Sequence, residues 1–221
     1  MSFSPPRAVL WDLDGTLVDS AEHHWSAWRE VMADEGHPVT PEAFTSSFGH
    51  RNDTILRGLL GKDLSDEEVE RIAGAKEALY RRFVRERGLD PLPGALRWLE
   101  CLKGRGWRQA VASSAPAANI EAAMDATRMA QLFEALVSAD EVGLGKPDPA
   151  VFLAAADRVG VPPGRCVVVE DAPAGLEGAR RAGMRCVGVL SAHHPELLAD
   201  VVVSSLESLP AAAFEDLLGD G

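Results

Sequence analysis

The chain opens with a short apolar run that ends in two acidic residues. Residues 7–11 read RAVLW, and Asp12, Leu13, Asp14 and Gly15 follow. An apolar run bounded by turn residues is typical of a buried strand that leads into a loop. The pattern therefore predicts a first strand with two carboxylates just beyond its carboxyl end.

The next stretch is rich in charge and helical in period. It predicts four helices, at residues 22–35, 41–48, 52–60 and 65–87. Ser65 followed by Glu68 is a capping-box signature for the last of these helices.

A proline- and glycine-rich run at residues 90–94 then breaks the chain and predicts a hinge. We therefore expect a helical cap domain at residues 20–91, inserted between core segments at residues 1–19 and 92–221.

Helices and strands alternate after the hinge. The predicted strands cover residues 109–112, 135–138, 166–169, 185–190 and 201–203. The predicted helices cover residues 95–103, 117–124, 149–159, 174–182 and 211–218, with Asp148 as an N-cap and Gly160 as a terminator. Alternation of this kind predicts an α/β fold: a Rossmann-like parallel-sheet core with helices on both faces and the inserted α-helical cap domain.

Composition narrows the class of protein. Hydrophobic residues make up 46% of the 221 residues, enough for a full core. The net charge of −12 opposes binding to nucleic acid or to an anionic membrane. No apolar run reaches the roughly 20 residues that cross a bilayer. We expect a cytoplasmic protein with no nucleic-acid or membrane partner and no obligate protein partner, whose three scattered cysteines form no disulfide framework.

Polar residues recur at or just beyond the ends of the predicted strands. Asp12, Ser113, Lys146 and Asp171 all lie at such positions, or in the loops that follow. In an open parallel sheet, ligands bind in the crevice at the carboxyl ends of the strands. Four loops that are distant in sequence are therefore predicted to form one pocket under the cap.

The pair Asp12 and Asp14 suits phosphoryl transfer. One carboxylate can attack phosphorus, and the other can give a proton to the leaving oxygen and later take one from water. Gly15 permits a tight turn and is expected to leave its backbone N–H facing the phosphate. The alternative is an ordinary polar turn after a strand.

The other polar positions suit a metal and a phosphate. Glu170 and Asp171 follow a buried strand and offer hard oxygen ligands for Mg²⁺, although they could instead cap the next helix. Lys146 could offset the charge of a phosphate or lie in a solvated loop. Ser113 could hold phosphate oxygens or act only as a cap.

Together these residues resemble the four motifs of the haloacid dehalogenase-like superfamily, in the group with a helical cap. The specific motifs are DLDGTL at residues 12–17 and VVVEDAPAGLEGARRAGM at residues 167–184. The resemblance implies Asp12 as the nucleophile, Asp14 as the acid and base, and Ser113 and Lys146 as phosphate ligands. It also implies magnesium held by Asp12, the Asp14 carbonyl oxygen and Asp171, with Glu170 close by. True dehalogenases of this superfamily lack the second aspartate, so Asp14 favours phosphate chemistry.

The resemblance leaves three activities open: a phosphatase of small phosphorylated metabolites (sugar, polyol or glycolate phosphates), a β-phosphoglucomutase-type isomerase, or a catalytically silent protein that binds a phosphorylated ligand. His24 matches a hinge histidine of the mutase, whereas Thr16 and Pro116 stand where the mutase often has valine and a phosphate-binding lysine. We favour the phosphatase, because a mutase must hold a bisphosphate at both ends. The predicted substrate-binding residues are Gly15, Thr16, Ser113, Ser114, His24, Arg51 and Asn52.

Overall fold

A parallel sheet forms the centre of the computed structural model, which describes residues 5–219. Its six strands within these residues are β1 (Ala8–Trp11), β2 (Arg108–Ser113), β3 (Ala135–Ser138), β4 (Cys166–Glu170), β5 (Arg185–Val189) and β6 (Val201–Val203). They lie in the order β3-β2-β1-β4-β5-β6, and every adjacent pair is parallel. The central strands β1, β2 and β4 are valine- and alanine-rich and almost completely buried, as strands covered on both faces must be.

Helices precede and follow these strands along the chain. Four lie between β1 and β2: α1 (Ala21–Asp34), α2 (Pro41–Ser47), α3 (Asn52–Leu60) and α4 (Asp66–Arg87), followed by α5 (Ala95–Gly104). The later ones are α6 (Ala117–Thr127), α7 (Ala139–Val142), α8 (Ala150–Arg158), α9 (Pro173–Arg181) and α10 (Ala213–Leu218).

Alternate residues of β1 point to opposite faces of the sheet and into different parts of the core. Val9 and Trp11 pack into one buried cluster with residues of α5, α6 and α10, whereas Ala8 and Leu10 pack into another with residues of α8 and α9. The period of two along the strand produces this division. The expected α/β core with helices on both faces and an inserted helical cap, α1 to α4, is confirmed.

The chain enters and leaves the cap helices side by side. The Asp19 N–H donates to the Asp90 carbonyl oxygen at 3.0 Å, and the Leu92 N–H donates to the Leu17 carbonyl oxygen at 2.9 Å. This paired crossing coincides with the predicted hinge run. The assignment of residues 20–91 as a separate cap domain stays a prediction.

Local signals located the predicted elements to within three residues, the largest difference being at the end of α6. The capping box is present, since the Glu68 N–H donates to Ser65 Oγ and the Ser65 N–H donates to Glu68 Oε2. Helix α8 begins at Ala150, a residue later than predicted, while Asp148 Oδ1 accepts from the Ala150 N–H. The short helix α7 was not predicted, because four residues are too few for a periodic pattern.

All three cysteines are free, and Cys166 and Cys186 lie in the core. Among residues 5–219, no helix is both long and apolar enough to cross a membrane.

Candidate active site

Two acidic side chains meet because β1 and β4 are neighbouring strands. Trp11 pairs with Val169, so Asp12 and Glu170 are the next residue on each chain. The Asp12 N–H donates to the Val169 carbonyl oxygen at 2.9 Å, and both acidic side chains are buried. The sheet thus places two carboxylates side by side at the carboxyl ends of parallel strands, where a ligand crevice is expected.

Lys146 lies between these carboxylates. Its Nζ donates to Asp12 Oδ1, and to Glu170 Oε1 at 2.6 Å. Only 3% of the lysine side chain is exposed. A buried ammonium group is costly unless it is paired, and here two carboxylates pair with it. Lys146 is therefore not a solvated loop residue, and it offsets part of the negative charge of the cluster.

Glu170 and Asp171 differ in how their oxygens are satisfied. Glu170 is held at both oxygens, since Oε1 accepts from Lys146 and Oε2 accepts from the Ala172 N–H at 2.9 Å. Asp171 Oδ1 accepts from Thr16 Oγ1 at 3.5 Å, but Oδ2 is buried and takes no hydrogen bond within residues 5–219. A buried carboxylate oxygen without a partner is costly, which indicates a site for a cation.

The acidic cluster has the donor set of a divalent metal site. Carboxylate oxygens of Asp12, Glu170 and Asp171 lie within 4.8 Å of one another. Mg²⁺ prefers such hard oxygen ligands, each at about 2.0–2.1 Å from the ion. The Asp171 oxygen without a hydrogen-bond partner fits a bound Mg²⁺, so Asp12 and Asp171 can act as its ligands with Glu170 beside them. A contribution from the Asp14 carbonyl oxygen stays a prediction.

The same crowding shifts the pKa values of the cluster. Burial and repulsion from Glu170 raise the pKa of Asp12 to about 7, although Lys146 acts in the opposite direction. Burial, with Glu170 and Asp12, raises the pKa of Asp171 well above its usual range. Burial by itself would lower the pKa of Lys146, but Asp12 and Glu170 raise it. The lysine stays charged, and the cluster keeps an excess of negative charge that a cation would neutralise.

Gly15 and Thr16 lie against Asp171 and do not line the cavity that the cap and the core enclose. Gly15 has a φ of +85°, and a Cβ at this position would lie 2.4 Å from Asp171 Oδ2, so glycine is required by both conformation and space. Its N–H donates to the Val18 carbonyl oxygen at 3.0 Å. It is therefore not turned toward a phosphate, in contrast to the expectation from sequence, because the loop closes tightly on itself. In this arrangement both residues contact Asp171, and a role in binding substrate stays a prediction.

Ser113 and Ser114 line the cavity at the end of β2. Ser113 Oγ accepts from the Ala115 N–H at 3.0 Å, which leaves its own proton to donate. Ser114 Oγ is buried without a hydrogen bond in the described part of the chain. Both hydroxyls are therefore placed to contact a ligand, and Ser113 also stabilises its loop.

The Asp14 side chain points toward the cap. Ser20, just before α1, and His24, in α1, hold it there. Asp14 Oδ1 accepts from Ser20 Oγ at 2.6 Å and from His24 Nε2 at 3.2 Å. Burial alone would raise the pKa of Asp14, but His24 and Ser20 outweigh it and lower the pKa below its usual value. The two aspartates of the first motif thus differ in acidity, because one lies in the anionic cluster and the other beside hydrogen-bond donors.

A buried relay continues from His24 into α4. Lys76 Nζ lies 2.8 Å from His24 Nδ1 and 2.8 Å from Glu77 Oε1. An ammonium group can only donate, so His24 Nδ1 accepts and the proton lies on Nε2, which donates to Asp14. The His24 ring also stacks on Tyr80 with 4.1 Å between ring centroids, which holds its plane.

Sequence reasoning missed four members of this network: Ser20, Lys76, Glu77 and Asn119. Glu77 Oε2 accepts from Asn119 Nδ2 of core helix α6, which joins the cap to the core. The available signal was weak, since Lys76 and Glu77 lie in a helix full of charges. Only their burial, at 2% and 6% exposure, distinguishes them.

The cap and the core enclose a cavity of about 60 Å³ above these groups. Arg51 and Asn52, predicted to bind substrate, line it from the start of α3. Arg51 Nη1 donates to the Ala139 carbonyl oxygen and its Nε to Asp53 Oδ1, both at 3.4 Å. Ligand pockets usually measure about 300–1,000 Å³, so this arrangement is closed over the site.

Comparisons with known proteins identify chains that are similar to this one. The family model described as haloacid dehalogenase-like hydrolase matches residues 6–183. A validoxylamine A 7'-phosphate phosphatase from Streptomyces hygroscopicus subsp. limoneus is 30% identical over 89% of this chain and 92% of its own length. A β-phosphoglucomutase from Bacillus subtilis is 31% identical, covering 92% of this chain and 91% of its own.

A solved structure is also similar. It is a variant of CbbY from Rhodobacter sphaeroides in complex with xylulose 1,5-bisphosphate. The TM-score is 0.86 at 26% identity, and the match covers 95% of this chain and 99% of that one.

Proposed function

Because the chain belongs to the haloacid dehalogenase-like hydrolases, we propose that its acidic cluster makes it a Mg²⁺-dependent phosphatase of small phosphorylated metabolites. The observation that carries the proposal is the meeting of Asp12, Lys146, Glu170 and Asp171 at one sheet edge, with Asp14 held opposite. Sugar, polyol and glycolate phosphates are the candidate substrates. A cytoplasmic location stays a prediction.

Asp12 is the nucleophile in this proposal. A carboxylate oxygen attacks phosphorus, the bond from phosphorus to the leaving oxygen breaks, and an aspartyl-phosphate forms. Lys146 donates to Oδ1 of the same carboxylate. This hydrogen bond orients the carboxylate, and the lysine offsets negative charge as the phosphoryl group approaches. Mg²⁺ held by Asp12 and Asp171 would supply further positive charge to the phosphoryl oxygens.

Asp14 moves the protons. In the first step it protonates the leaving oxygen. In the second it accepts a proton from the water that attacks phosphorus, and the bond between phosphorus and the Asp12 oxygen breaks to release inorganic phosphate. The low pKa of Asp14 suits the second step. A phosphate dianion bound nearby raises that pKa, so Asp14 takes up its proton with the substrate. Ser20 and His24 keep the carboxylate aimed during both steps.

The closed cavity requires movement for entry. A sugar phosphate does not fit about 60 Å³, so the cap helices must shift away from the sheet edge and return. The two chain segments joined by the hydrogen bonds Asp19–Asp90 and Leu17–Leu92 are the hinge in this proposal. Closure then removes bulk water around Asp12, and in the second step Asp14 activates the attacking water.

The direct test measures phosphate release from a panel of sugar, polyol and glycolate phosphates, and from p-nitrophenyl phosphate, with Mg²⁺ or with EDTA. We expect turnover only with the metal, and no turnover by Asp12→Asn. Turnover by Asp12→Asn close to wild type would rule out covalent catalysis on this residue. A protein that releases no phosphate from any ester would instead match the silent ligand-binding alternative.

A mutase is the second candidate, and the contact between His24 and Asp14 favours it. A histidine that controls the proton of Asp14 can delay water attack until an alcohol arrives. The test supplies β-glucose 1-phosphate with a trace of glucose 1,6-bisphosphate. Formation of glucose 6-phosphate faster than free phosphate would replace the phosphatase proposal with this one.

A further inference from the structure

The cap turns a buried lysine toward the cavity, and the adjacent residue in the chain neutralises it. Lys76 Nζ donates to Glu77 Oε1 at 2.8 Å, and the two side chains are 3% and 7% exposed. A second proton of Lys76 goes to His24 Nδ1 at 2.8 Å. The pair therefore brings no net charge to the cavity. A lysine alone there would instead supply a positive charge for an anion such as phosphate.

Glu77 is held firmly as a carboxylate. Oε1 also accepts from Asn52 Nδ2 at 2.7 Å, and Oε2 accepts from Asn119 Nδ2. Arg81 donates to Asn119 Oδ1 at 2.8 Å and so sets the orientation of that amide. Two carboxylate oxygens accept about four hydrogen bonds, so three protein donors leave about one position for a ligand hydroxyl.

The other groups on this side of the cavity offer little to a second phosphate. Arg51 is engaged with Asp53 and the Ala139 carbonyl oxygen. Pro116 precedes α6 and has neither charge nor N–H. Among the described residues that line the cavity, five are carboxylates and three are lysine or arginine: Asp12, Asp14, Glu77, Glu170 and Asp171 against Arg51, Lys76 and Lys146.

From these contacts we infer that Glu77 is a specificity residue, which restricts the site to monophosphates with a neutral, hydroxyl-bearing leaving group. A second phosphate on the leaving group would find Lys76 already neutralised by Glu77, and an anion buried without a free cation to pair with it is costly. A hydroxyl would instead donate to Glu77 or pair with the Asn52 amide. This inference rests on the proposed function for the position of the first phosphate.

The test compares esters that differ only by one phosphate. Glucose 6-phosphate with glucose 1,6-bisphosphate, and fructose 1-phosphate with fructose 1,6-bisphosphate, serve as competitive inhibitors of p-nitrophenyl phosphate hydrolysis. For the wild type we expect each bisphosphate to bind about tenfold more weakly than its monophosphate. Glu77→Gln leaves Lys76 uncompensated, so the bisphosphate should gain about tenfold relative to the monophosphate.

Glu70→Gln is the matched control, because Glu70 is an exposed acid two turns earlier in α4 that does not line the cavity. It should leave both ratios unchanged. Equal changes of both inhibition constants in Glu77→Gln would show a structural role only and overturn the inference.

Two further outcomes keep the test decisive. A wild type that binds the bisphosphates as tightly as the monophosphates refutes the inference, even if Glu77→Gln fails to fold. If no ester of the panel is hydrolysed, the proposed function fails, and calorimetric titration with the same four esters then measures the ratios without turnover.

Discussion

The carboxylate of Asp12, the proposed nucleophile, should destabilise the metal-free folded protein at neutral pH. Burial and Glu170 raise the pKa of Asp12 from 3.8 to about 7. Between these two values the folded protein holds a proton that the unfolded chain has released, so stability falls as pH rises. Above about pH 7 the penalty is complete. Asp12→Asn resembles the neutral acid and should remove it.

The magnitude follows from the same pKa. One pKa unit corresponds to about 1.36 kcal/mol, so a change from 3.8 to about 7 corresponds to about 4 kcal/mol. For a chain of this size, this energy raises the Tm by roughly 8–16 °C. Near pH 5 the gain in stability of Asp12→Asn over the wild type should be less than half as large.

The assay is thermal and urea denaturation of wild type and Asp12→Asn in EDTA, from about pH 4 to 8. Asp125→Asn is the matched control, since Asp125 is an exposed aspartate of α6 and its replacement should change little. Added Mg²⁺ should narrow the gap at pH 8, because a cation stabilises the ionised Asp12. The reasoning is refuted if Asp12→Asn is less stable than the wild type at pH 8, or if the gap does not grow with pH.

Three other substitutions test separate parts of the site. Asp14→Asn removes the proton carrier and should lower kcat by about 10²–10⁴-fold with unchanged circular dichroism, whereas a near-normal kcat would remove Asp14 from the mechanism. Asp171→Asn should raise the Mg²⁺ concentration for half-maximal activity by about tenfold or more, and an unchanged requirement would show that Asp171 is not a ligand. In Gly175→Ala the new Cβ would lie 1.8 Å from Glu170 Oε1, which should cost about 1–3 kcal/mol in urea denaturation. Gly74→Ala, a helical glycine with open space around it, should instead gain about 0.5–1 kcal/mol, and equal effects of the two would contradict the crowding at Glu170.

The sequence by itself determined the order of elements and the acidic half of the site. The apolar runs before Asp12 and Glu170 are local patterns with period and length typical of buried strands, and parallel strands bring their carboxyl ends to one edge. The capping box at Ser65 depends only on residues three apart, so it too could be read directly.

Only the tertiary structure decided which charged residues of the cap helix α4 belong to the site. Lys76 and Glu77 have the composition of an exposed helix, and nothing local to α4 separates them from the other acids and bases of that helix. They are buried because α4 packs beside α1 and α6, which brings His24 and Asn119 to them.

The direction of the Gly15 N–H is set by a local contact that the sequence pattern did not predict. The tight loop directs it to the Val18 carbonyl oxygen, where a flexible turn would have left it open. Periodicity and spacing describe neighbours along the chain. Burial and hydrogen-bond partners also depend on segments that are distant in the chain, as with His24 and Lys76, which are 52 residues apart, and they appear only when the chain is folded.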